Sequence, residues 1–269
     1  SPTDFGKLGI PPTHLELLDW LANDFVTNGW KIKRMHKMLM TSAAYMQSSQ
    51  RSDDYDVADP DNLLYGHMPV RRLEAETIRD SIIAVTGKLK TELYGEPVPV
   101  KEDEVGQIVV GLANVDSAGR QKKNLKMDDR KFRRSIYVTV SRSKPLAVLD
   151  MFDAPKMEPN CEKRSSSTVA PQSLLMMNSA FMVENAELFA ERLLKEKAGN
   201  KAEQVKLAWI LTFGKEPSAE EVQQSVDFID SQLPQFKDNK NAAGKTPEQL
   251  ALAPFCQALL SSNGFLYVD

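Results

Sequence analysis

Apolar residues return at helical spacing along most of this chain. Leu18, Leu21, Ala22 and Phe25 share one face of a first helix. The pattern Thr13-x-x-Glu16 reads as its capping box, and Gly29 is placed to end it in a left-handed conformation. A second helix is predicted over 31–47. Its inner face carries Ile32, Met35, Leu39, Ala43 and Met46, and its outer face Lys31, Lys33, Arg34 and Lys37. So short a connection implies a helical hairpin.

A third helix is predicted over 71–89, with Ile78, Ile82, Val85 and Leu89 as its buried stripe. Arg72, Glu76 and Arg79 are spaced to pair along its surface. The stretch 94–130 mixes Gly, Pro, Lys and Asp and reads as irregular, with one short strand at Ile108-Val109-Val110. The β-branched run from Ser135 to Val140 is the best strand pattern, and the two are expected to pair as a ribbon. A short helix is predicted over 145–152, then a loop to 167. From Thr168 one long amphipathic helix runs to about 197, with Pro171 suited to its first turn. Three more follow over 202–213, 219–233 and 247–262. Ser218/Glu221 and Thr246/Gln249 form capping boxes, and a loop over 234–245 separates the last pair. The fold class is therefore mainly α, a multi-helix domain with a small two-stranded β element. A single domain over 1–269 and a division near 165, with helices plus ribbon before it and helices after, are both compatible with this pattern.

Composition narrows the picture. The chain has 269 residues, 42% hydrophobic and 26% charged, which suits a globular protein. Its formal net charge of -3 supplies no basic field for nucleic acid. No run approaches the ~18 apolar residues that a membrane helix needs. Ser1-Pro2-Thr3-Asp4 reads as the interior of a longer polypeptide, so the chain is expected to be a fragment. Cys161 and Cys256 belong to no Cys-x-x-Cys motif, and no haem attachment or zinc spacing is present. Cys256 falls on the apolar stripe of the last helix and reads as a small buried residue; a Cys161–Cys256 disulfide is open to an exported protein. His14, His36 and His67 have no ligand spacing.

Arginine supplies the one chemically suggestive pattern. Arg71, Arg72 and Arg79 lie on the third helix, Arg133, Arg134 and Arg142 flank the strand run, and Arg164 precedes three serines. If they converge they would suit a carboxylate, sulfate or phosphate ligand, because guanidinium binds such groups bidentately. The candidate anion or ligand site is Arg71, Arg72, Glu76, Arg79, Asp80, Arg134 and Asp153. The alternative is a set of salt bridges to Glu74, Glu76, Asp80 and Asp153. Two of Asp19, Glu74, Glu76, Asp80 and Asp153 could serve glycoside hydrolysis, at a separation the sequence does not give. There is no Gly-x-Ser-x-Gly elbow, Ser165 to Ser167 read as capping residues, Cys161 has no evident histidine, and Gly111 and Gly119 stand outside any phosphate loop. No catalytic residue, metal site or cofactor site is assigned.

Several segments together resemble one family. They are Leu8 to His14 with Glu16 to Ala22, Met40 to Tyr45, Arg71 to Glu76 with Ile78 to Ser81, and Arg134 to Tyr137. Then come Phe152 to Pro155, Ser167 to Leu174 with Met177 to Ser179, and Leu259 to Val268. In this order the chain is similar to the C-terminal domain of unknown function of planctomycete cytochrome-c-type proteins. It departs at Gly264, where an acidic residue is common. The resemblance implies an exported protein, periplasmic or at the cell surface, with an upstream cytochrome-c-like domain. Haem c would belong to that upstream domain, so no cofactor is expected in this chain. It further implies a non-catalytic scaffold, or a ligand- or partner-binding domain, whose partners are the upstream domains or another protein, with glycan as a possible ligand. A polysaccharide-active or anionic-glycan-binding enzyme domain and a structural, cell-surface assembly protein are the alternatives.

Overall fold

A computed structural model describes residues 6–112, 127–155, 164–237 and 244–268. The protein is mainly α: among the described residues it has eleven α-helices and two small two-stranded sheets. The chain forms two compact units. One comprises Ser1–Arg71 with Tyr267–Asp269, the other Arg72–Leu266. The junction near 165 considered above falls inside the second.

The first unit holds α1 (Leu15–Thr27), α2 (Ile32–Met40) and α3 (Asp53–Ala58). Gly29 (φ +73°) and Trp30 (φ +58°) are both left-handed, and the Trp30 ring meets Phe25 edge-to-face at 5.2 Å. The left-handed turn at Gly29 is as predicted, but α1 and α2 are not among the helix pairs that pack against each other, so the expected hairpin is a turn without a packed pair. The N-cap differs from expectation: it is His14, with no side-chain cap, and the Thr13 hydroxyl bonds the His14 Nδ1 at 3.0 Å instead. α2 stops at Met40 rather than at 47. Thr41 and Ser42 hydroxyls donate back to the carbonyls of Lys37 (2.8 Å) and Leu39 (2.7 Å), which competes with continuing the helix. Not one described residue of this unit is buried.

The second unit has a conventional core. It contains α4 (Ala75–Val85), β2 (Val100–Glu102), β3 (Ile108–Val110), α5 (Ala147–Met151), α6 (Ala170–Asn178) and α7 (Ala180–Glu196). Then come α8 (Lys201–Phe213), α9 (Ala219–Phe236), α10 (Pro247–Leu260) and α11 (Asn263–Leu266). α10 packs against both α7 and α9. Met182, Phe189 and Leu193 of α7 and Leu252, Cys256 and Leu260 of α10 are sealed from solvent, as are Ile78 and Ile82 of α4. The predicted Ser218/Glu221 box caps α9, and Thr246 caps α10 with Pro247 at its first position. At Gly264 a side chain would have its Cβ 3.2 Å from the Phe213 ring, which is why a residue without one fits there.

Four expectations change in this unit. The third helix starts at Ala75, because Arg71–Arg72 is strand β1. The long helix after Thr168 is two helices, broken at Ser179. Its backbone is extended (ψ 141°) and its hydroxyl caps α7 through the Met182 N–H. α9 carries on through Pro234 to Phe236, so the loop begins later than expected. Finally, the ribbon pairs differently. β3 turns back on β2, with Val100 opposite Val110. Ser135–Tyr137 is a 3-10 turn, and Val138 makes one isolated bridge to Val98. The Asp80 carboxylate accepts both the N–H and the hydroxyl of Ser135 at 2.7 Å, and this overrides the β-branched pattern.

Candidate functional site

The candidate charged residues separate into distinct arrangements. The Arg72 side chain of β1 is 4% exposed, and its guanidinium donates to the carbonyls of Phe152 (3.0 Å) and Ser167 and to the Asp153 carboxylate (2.7 Å). Asp153 also accepts the Ser167 N–H (2.7 Å) and hydroxyl (2.9 Å). It adopts a left-handed backbone (φ +60°), uncommon outside Gly but tolerated by Asp and Asn, which turns its carboxylate to these donors. Burial opposes its ionisation, but the Ser167 N–H, Arg72 and the Ser167 hydroxyl outweigh it and hold the carboxyl below the usual range.

A folded-state pKa lowered in this way stabilises the fold above the ordinary Asp value and loses that contribution as pH falls through the folded value. Asp153→Asn, which keeps the left-handed backbone accessible, is therefore expected to lower the urea midpoint at neutral pH. Its curve of midpoint against pH should be shallower than wild type below about pH 4. Parallel curves in that window would show that the Asp153 carboxylate is not what the fold loses in acid.

Arg79 of α4 forms the second arrangement. It donates to the carbonyls of Lys131 (2.9 Å) and Arg133 (3.0 Å), to the Ser135 hydroxyl (3.2 Å) and to Asp80 (3.4 Å). Burial pulls its pKa down to about 10, against the pull of Asp80, so it stays charged at neutral pH. Arg133 repeats the theme. It stacks on Tyr137 with Cζ 3.9 Å from the ring centre, and donates to the carbonyls of Glu92, Tyr94 and Glu96. These arginines fasten backbone carbonyls of segments that lack a sheet or helix to satisfy them.

A third group faces solvent. α4, the segment 134–142 and α5 enclose a cleft of about 1060 Å³. Glu76, Asp80 and Arg134 line it together with Arg142 and Arg164; Arg72, Asp153 and Arg79 do not. Arg164 bonds Glu76 at 2.7 Å and lies 3.2 Å from Glu74. Partial burial pushes the Glu76 carboxyl up, yet the Arg164 hydrogen bond prevails and leaves it below its ordinary value. Arg134 is exposed and has no side-chain hydrogen bond or ion pair with the described residues. Arg71 is exposed too and belongs to the first unit. Thus Glu76, Asp80 and Arg134 share one cleft, whereas Arg72, Arg79 and Asp153 bond neighbouring carbonyls, hydroxyls and charged groups outside it, and Arg71 belongs to the first unit.

A carboxyl kept ionised by a cation is a poor proton donor at neutral pH, so Glu76 and Asp153 are badly placed for general acid work. Asp19 is exposed on α1. Among the described residues no three His, Cys, Asp or Glu side chains are grouped to hold a metal. His14 stacks on Tyr65 at 5.0 Å. Cys256 is a free, buried thiol that burial pushes up and leaves unreactive; Cys161 and Gly119 lie outside the described residues. No described helix is long and apolar enough to cross a membrane. Arg164 pairs with Glu76 and Glu74 as the salt-bridge alternative had it, across 88 residues from Glu76, a pairing for which the local sequence holds no signal.

The other conspicuous surface is apolar. In the first unit Trp20 is 55% exposed, Trp30 65%, Leu18 51% and Ile32 61%. The cations Lys31, Lys33 and Lys37 accompany them on and beside α2, whose Arg34 is paired with Asp24.

A family model described as PSD1, protein of unknown function (DUF1553), matches residues 1–229. No curated protein and no solved structure matches the chain.

Proposed function

The chain belongs to this DUF1553 family, and from that membership we propose a non-catalytic scaffold domain of an exported multidomain protein, which docks against upstream domains of its own polypeptide beside a c-type cytochrome module. One observation carries the docking: α1, α2 and the turn between them expose Trp20, Trp30, Leu18 and Ile32, and no described residue of this unit is buried. Large apolar side chains left in water forgo about 1.5–3 kcal/mol each relative to full burial, so a cover for them is favoured. The surface that covers it is apolar with an acidic rim, to meet Lys31, Lys33 and Lys37. The export and the cytochrome module come from the family resemblance and stand or fall with it.

Hydrogen exchange on the native polypeptide, purified whole from its source, tests the docking against the isolated 269-residue chain. Amides of α1 and α2 are expected to exchange at least about tenfold more slowly in the native polypeptide. Equal rates overturn it. Turnover of a glycan panel by the chain would overturn the non-catalytic part. A second reading, capture of an anionic glycan in the cleft, is favoured by the uncommitted Arg134 guanidinium beside Asp80 and Glu76.

A further inference from the structure

The pair Asn-Gly occurs twice in this chain, at Asn28-Gly29 and at Asn263-Gly264. Such a pair is open to ring closure, because glycine leaves its own nitrogen unhindered and the backbone free to bring it onto the asparagine amide carbon. The fold treats the two pairs differently. At Asn28 the side-chain amide donates to the Asp24 carbonyl at 2.8 Å and to the Asp24 carboxylate at 3.0 Å, and the Gly29 N–H donates to the Val26 carbonyl at 3.1 Å. The reacting carbon and the reacting nitrogen are both held there. At Asn263 neither is held. Asn263 and Gly264 are exposed, and neither the Asn263 amide nor the Gly264 N–H has a hydrogen bond with the described residues. The bonds that tie α11 to the Ser262 carbonyl come from Phe265 (3.1 Å) and Leu266 (3.2 Å), after the reacting pair. Glycine itself suits position 264 because the Phe213 ring leaves little room for a Cβ, so the packing keeps the pair in place.

We infer that Asn263 is a site of spontaneous deamidation and that it reacts ahead of Asn28. The Gly264 nitrogen gives its proton to hydroxide and attacks the Asn263 Cγ. A cyclic succinimide forms as the new C–N bond closes, and the side-chain nitrogen leaves as ammonia. Water then opens the ring at either carbonyl, giving aspartate or isoaspartate. Nothing is oxidised or reduced, and water is the only co-reactant. Both products put a carboxylate where the amide stood. Isoaspartate also routes the main chain through the side-chain carbon and lengthens it just before Leu266, whose carbonyl accepts the Leu73 N–H at 2.8 Å. The modification therefore loosens the bond that joins the two ends of the second unit.

The test ages the full chain at neutral and at mildly alkaline pH and reads both asparagine peptides by mass spectrometry after acidic digestion. Conversion at Asn263 is expected to run at least about tenfold ahead of Asn28, where three hydrogen bonds must open first. It should speed up as pH rises and give more isoaspartate than aspartate. The Leu73 amide should exchange faster in aged wild type and keep its original rate in aged Asn263→Gln, whose longer side chain closes a ring far less readily. The wild-type time course carries the test should that variant fail to fold. Equal rates at the two pairs overturn the inference. So does an Asn263 that stays intact in the folded chain while the same residue converts in urea. Aspartate formed without isoaspartate would mean direct hydrolysis and no ring, and an unchanged Leu73 exchange rate would sink the loosening.

Discussion

Arg79→Ala is expected to cost the second unit about 4 kcal/mol, read from urea denaturation with an unchanged m-value. The side chain is 1% exposed and holds two loop carbonyls, a serine hydroxyl and a carboxylate at 2.9–3.4 Å. Truncation strands the carbonyls of Lys131 and Arg133, removes the cation beside Asp80 and opens a void. Each stranded group costs about 1–3 kcal/mol, and the terms overlap because the groups share one network. Arg79→Leu should recover little, because it fills space and satisfies nothing. Arg79→Lys should recover less than half, since one ammonium cannot reproduce the planar fork that spans Lys131, Arg133 and Asp80. Near-native stability of the leucine variant would mean that the carbonyls find water once the guanidinium is gone.

Phe189→Ala is expected to cost a similar amount, about 4 kcal/mol, from an unrelated cause. Phe189 sits on α7, fully buried at the helix's packing with α10. Its removal deletes a ring's worth of dispersion contacts and leaves a cavity that two long packed helices cannot close without shifting. Phe189→Leu should restore more than half of the loss, in contrast to the leucine variant of Arg79. The pair of series separates packing from polar satisfaction in one denaturation experiment. If leucine rescues both positions or neither, that separation fails.

Helices with local punctuation were legible in the sequence. Ser218/Glu221 and Gly29 act within four residues of themselves, and their elements lie where the pattern put them. Other errors arose where a distant group decides the local conformation. Ser135 begins a β-branched run, yet Asp80, 55 residues earlier, takes its N–H and hydroxyl and turns the chain. Residues 92–96 look shapeless because Arg133 satisfies their carbonyls from about 40 positions away. The charged cluster was legible as a set of residue types. Its division was not, because the Arg72–Asp153 pair spans 81 residues and the Glu76–Arg164 pair 88.

The ends of the second unit meet. Just inside its first residue, the Leu73 N–H donates to the carbonyl of Leu266, its last, at 2.8 Å. Arg72–Leu266 is therefore a cassette whose entry and exit are one hydrogen bond apart. A host chain would experience it as a single long insertion, and the entropic cost of closing so long a loop grows only slowly with length. Such a module can be lengthened, shortened or exchanged in evolution without altering the spacing of the residues that flank it.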